Sequence, residues 1–76
     1  MNNERRKALR RWNKRAEELK SELENILWDE QNYYDNIPEN LQFSERATDS
    51  EDAITQMEDT IDYLSDTIET VDNIII

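Results

Sequence analysis

Carboxylates are the reactive groups this chain holds in quantity: 19 Asp and Glu among 76 residues, against 9 Lys and Arg and no His, Cys or Gly. Paired carboxylates act as general acid and base when a concave site desolvates one of them. Here Asp59, Asp62, Asp66 and Glu69 recur on an outward helix face, roughly 4.5–6 Å apart along the axis at 1.5 Å per residue. A second cluster, Glu39, Glu45, Asp49, Glu51 and Asp52, lies nearer mid-chain. Neither has a ligand pattern. Asp49-Ser50-Glu51-Asp52 lacks the spacing and the glycine of a calcium loop. The Glu-x-x-His pairs of helical di-iron sites need a histidine. The expectation is a protein without catalytic residues, cofactor or metal. The acids keep a small protein in solution. On a rigid rod they also imitate a phosphate backbone, which would fit the basic groove of a nucleic-acid-handling protein.

The basic residues are gathered at the other end. Residues 1–20 carry a local +5 and residues 21–76 a local −15. On a helix, Lys7, Arg10, Arg11 and Lys14 share one outward face, which could touch phosphates. Repulsion from so much acid in one small body disfavours strong binding to nucleic acid. The charge split is read first as a device for pairing the two ends of the chain.

Positioning these groups falls to two helices. From about Asn3 to Tyr34, Leu9, Trp12, Ala16, Leu19, Leu23, Ile26, Glu30 and Tyr33 recur in alternating steps of three and four, a heptad seam. From about Ser44 to Asn73, Ala47, Ser50, Ile54, Met57, Ile61, Leu64, Ile68, Val71 and Ile75 repeat the pattern. Residues 35–43 connect them. Pro38 stops the first helix and constrains Ile37. It also suits the opening of a short extra turn. Ser44, or a Thr48-x-x-Glu51 box, is placed to cap the second helix.

Equal helices and a short connection predict one all-α domain over residues 1–76, an antiparallel two-helix coiled-coil hairpin. Layers whose numbers sum to 80 set Leu9 against Val71, Trp12 against Ile68, Ala16 against Leu64 and Glu30 against Ser50. Flanking pairs then bring Arg6 near Asp72 and Lys20 near Glu58. Leu27 and Tyr34 on one helix, and Ala53, Thr60, Thr67 and Ile74 on the other, form flanks open to further helices. Together with the Ile74-Ile75-Ile76 ending they predict a homodimeric four-helix bundle. No apolar run reaches the ~18 residues of a membrane span. With no signal-peptide pattern either, a cytoplasmic setting is expected.

Trp28 and Tyr63 fall off the seams. Trp28 suits an interface anchor, although Leu41 and Phe43 of the connection are expected to cover it. The candidate partner-binding surface is the turn end: Trp28, Tyr34, Glu39, Leu41, Phe43 and Arg46.

The stretch Asp29-Glu30-Gln31-Asn32-Tyr33-Tyr34-Asp35-Asn36-Ile37-Pro38-Glu39-Asn40-Leu41-Gln42-Phe43-Ser44-Glu45-Arg46 resembles the recurrent core of short phage and prophage proteins. In these, D-E-Q-x-x-(F/Y)-D-N-x-P-E-N-L-Q-x-S-x-R precedes A-I-x-x-(L/M)-E-x-x-I heptads, here Ala53 to Ile61 and onward to Ile68. The resemblance covers about residues 22–71. It implies no activity, only a mobile-element setting in a bacterial host, where small acidic proteins often disarm nucleases or defence complexes. The motif residues Asp35, Asn36, Glu39, Asn40, Gln42, Ser44 and Arg46 are expected to close the connection, with Arg46 bridging carboxylates.

The function expected is therefore a non-enzymatic phage-type protein that contacts a host protein, an inhibitor with an acidic face. The alternatives are a self-associating assembly protein and an accessory nucleic-acid binder using the basic face.

Overall fold

The computed structural model describes all 76 residues as two long helices joined by a short connection. Helix α1 runs Asn3–Asp35 and helix α2 Glu45–Ile75, with a single 3-10 turn at Glu39–Leu41 between them. The hairpin measures 59 × 15 × 13 Å, the shape of a rod whose helices each rise ~1.5 Å per residue.

Local sequence sets the ends. Extended Asn2 caps α1, its side-chain oxygen accepting from the Arg5 N–H at 2.8 Å. At the far end the Asn36 side chain donates to the Asn32 carbonyl at 2.7 Å. The same carbonyl also accepts the Asn36 backbone N–H at 3.2 Å, so one residue closes the last turn twice. Pro38 then forbids continuation, and its carbonyl accepts from the Leu41 N–H at 2.8 Å to form the 3-10 turn. The extra turn predicted at Pro38 is present. Ser44, not Thr48, caps α2: its hydroxyl accepts from the Ala47 N–H at 3.3 Å and donates to the Leu41 carbonyl at 2.6 Å. Every residue has negative φ, so the reversal is made without glycine.

Helix α2 buries the predicted face. Ala47, Ser50, Ile54, Ile68 and Val71 are buried, and Met57, Ile61, Leu64 and Ile75 half-buried. Helix α1 does not. Apart from Gln31 and Asn32 beside the turn, its covered residues are Arg6, Leu9, Asn13, Ala16, Lys20, Leu23, Leu27, Glu30 and Tyr34, again in steps of three and four. Trp12, Leu19, Ile26 and Tyr33, predicted in the seam, stand 48%, 57%, 56% and 43% exposed. At 100° per residue the inward face has turned by about 50°. Leu9, Ala16, Leu23 and Glu30 are common to both faces. Leu27 and Tyr34, predicted to await a further helix, turn toward α2 instead.

The physical reason lies in the width of the stripe. Residues 9–16–23, 12–19–26–33 and 27–34 together span more of α1 than one neighbouring helix can cover, so one flank stays out. Asn13 favours the flank that goes in. Its amide, only 6% exposed, donates to the Ile68 carbonyl at 3.1 Å and to the Asp72 carboxylate at 2.8 Å. The half-buried stems of Arg6 and Lys20 line the same side, as long cationic side chains do when only their heads reach water. The predicted pairs Arg6–Asp72 and Lys20–Glu58 do not form: Asp72 takes Asn13, and Lys20 pairs along its own helix with Glu24 at 3.9 Å. That is the only ion pair in the chain.

Candidate functional site

The turn end carries the least ordinary surface. Ile37 is buried beneath it at 8% exposure, while Leu41 is 45% and Phe43 99% exposed. A hollow of about 370 Å³ opens between the helix ends, lined by Asn32, Tyr33, Asn36, Ile37, Pro38, Leu41 and Arg46. Beside it a second hollow of about 460 Å³, floored by Ser50, is lined by Glu30, Tyr33, Arg46 and Asp49. Tyr33 and Arg46 line both, the second depression sharing these two residues with the first. Arg46 forms no ion pair and no hydrogen bond there. The predicted carboxylate bridge is absent, and its guanidinium stays free beside Glu30 and Asp49. The predicted polar layer of Glu30 and Ser50 does meet at the second depression, yet without a hydrogen bond, and the buried Ser50 hydroxyl has no partner.

The structure divides the predicted turn-end set. Glu39, Leu41, Phe43 and Arg46 stay together on the connection and the first turn of α2. Tyr34 is half-buried, turned toward α2. Trp28 is 66% exposed, and Leu41 and Phe43 do not cover it. It lies in a separate groove of about 290 Å³ with Glu24, Leu27, Gln31 and Glu58. The reason is angular: five residues separate Trp28 from Tyr33, about 140° around the helix, so the two face different flanks.

The charged sets keep their predicted faces. Asp59, Asp62, Asp66 and Glu69 are exposed along α2, and Lys7, Arg10, Arg11 and Lys14 along α1. No group of three acids converges closely enough to hold a metal ion. No helix is long and apolar enough to cross a membrane.

Two features escape a count of apolar residues. One is Asn13, an interior fastener whose amide oxygen remains unpartnered. The other is the exposed stripe Trp12–Leu19–Ile26–Tyr33, beside which Trp12, Arg15, Ala16, Leu19 and Leu64 line a groove of about 250 Å³. Arg6, Asn13 and Lys20 complete the true heptad of α1 with polar side chains. Their spacing, rather than their hydropathy, was the available signal.

Comparison of the chain with protein-family models, with curated proteins and with solved structures gave no match.

Proposed function

We propose that this hairpin is a non-enzymatic binding protein of phage type, acting by stoichiometric contact with a host protein through its turn end. The observation that carries this reading is Phe43. An aromatic ring 99% exposed at the tip of a rod contributes nothing to the fold and lowers solubility. Aromatic and Arg anchors dominate protein interfaces, and Phe43 stands close in sequence to Leu41 and the unpaired Arg46. The acidic ridge Asp59–Glu69 supplies the second element, a row of carboxylates suited to a basic groove on a nucleic-acid-handling or defence protein. Inhibition by occupying that groove is the mode of action this arrangement suits.

The test is affinity capture of the full chain from bacterial lysate with quantitative mass spectrometry. One complex should be recovered in stoichiometric yield. Phe43→Ala should abolish capture with the helical circular dichroism unchanged, and added DNA should compete with it. Recovery of nothing beyond the chain itself overturns the reading. Self-association is a second reading, favoured by one specific observation: the uncovered stripe on α1.

A further inference from the structure

We propose that the Trp12–Leu19–Ile26–Tyr33 stripe is the contact face of an antiparallel two-fold homodimer of the hairpin. This concerns a different face from the turn end and stands independently of the host-protein reading.

Three observations single out a second copy as the occupant. The first is the order of side chains. At strict seven-residue intervals the stripe runs aromatic, aliphatic, aliphatic, aromatic, and reversal leaves that order unchanged. An antiparallel copy therefore sets Trp12 against the partner's Tyr33 and Leu19 against the partner's Ile26. A two-fold interface requires this self-complementarity.

The second is charge. Residues 3–20 of α1 carry a net +5 and residues 21–35 a net −5. An antiparallel copy lays each half over its opposite, twice, with Arg15 arriving beside the partner's Asp29 and Glu30. A parallel copy would lay like upon like. A nucleic acid would suit the first half only, and would be repelled by the second and by the net −9 of α2. One like-charge approach remains, Glu22 near its own copy at the axis. It is exposed, so water and salt screen it.

The third is size. From Trp12 to Tyr33 the stripe rises about 32 Å, a little over half of the 59 Å rod, which suits a compact interface at the small end of the stable range. Because α1 already buries the adjoining flank against α2, the pair of hairpins closes a four-helix bundle without altering either chain.

The experiment is sedimentation equilibrium of the full chain, from about 1 to 100 µM, the range in which an interface of this size is expected to assemble. The result expected is a species of twice the 9.2 kDa chain mass. Ile26→Glu should weaken dimerisation more than about 100-fold. Its helical circular dichroism should persist, since Ile26 is 56% exposed in the single chain. Trp28→Ala, on the other flank, should leave the dimer intact. Orientation is read from the cysteine-free background. A mixture of Trp12→Cys and Tyr33→Cys chains should be joined by a short bis-maleimide, and neither variant alone. A chain that stays monomeric to the highest concentration overturns the proposal. Cross-linking of Trp12→Cys to itself overturns the antiparallel arrangement. Neither result bears on capture through Phe43.

Discussion

The two helices obey the same heptad rule with opposite outcomes. Helix α2 has a narrow apolar seam between acidic flanks, and it buries that seam. Helix α1 has an apolar stripe three positions wide, and it buries one side while leaving Trp12, Leu19, Ile26 and Tyr33 in water. Periodicity thus determines which face turns inward only when a single face qualifies. Where two qualify, a polar residue decides, and here Asn13 does so through its bonds to Ile68 and Asp72.

The sharpest way to break this contrast is to truncate isoleucines on each helix. Ile54→Ala, at a site 7% exposed, should cost about 2–5 kcal/mol in urea unfolding, lost burial plus cavity. Ile26→Ala, measured where the chain is monomeric, should fall within about 0.5 kcal/mol of the parent, as surface changes do. Equal losses at the two sites would mean that α1 turns its other flank inward. Asn13→Ala comes next. It strips the Ile68 carbonyl and Asp72 of a buried donor and should cost about 1–3 kcal/mol. Asn13→Leu should recover part of this by filling with apolar volume the space that alanine leaves empty, while the two-dimensional amide spectrum broadens as the choice of flank weakens. Ser44→Ala removes the cap of α2 and should cost about 1 kcal/mol by thermal melting. Lys20→Gln, which breaks the one ion pair along the solvent side, should change stability by no more than about 0.5 kcal/mol.

Much of the hairpin was legible in the sequence, and the reasons are local. Pro38 and the turn residues around it act within a few residues, so the helix ends and the 3-10 turn could be read closely. Thr48, however, competed with Ser44 as the cap of α2, and Asn2 was not singled out for α1. The seam of α2 was legible because its apolar positions have no competitors. The inward face of α1 was not, because Arg6, Asn13 and Lys20 count as solvent-facing by hydropathy. Only tertiary geometry shows that their stems and one amide serve the interior. The candidate site was legible in part for the same reason. Glu39, Leu41, Phe43 and Arg46 adjoin along the chain and stay together. Trp28 was joined to them by nearness in sequence, which takes no account of the angle at which it leaves the helix.

The Asn13 fastener lies 55 residues from Ile68 along the chain, at the open end of the rod, and this bears on the order of folding. Loops closed near Pro38 are short and entropically cheap, whereas bringing Asn13 to Ile68 first would close most of the chain at once. Closure from the turn toward the termini is therefore the expected order, with the Asn13 amide among the late contacts and Arg6, Leu9 and Ile75 beyond it. Opening is expected to begin at the same end. Amide hydrogens of residues near Leu9 and Val71 should exchange first, and those near Ala47 and Ile54 should be retained longest.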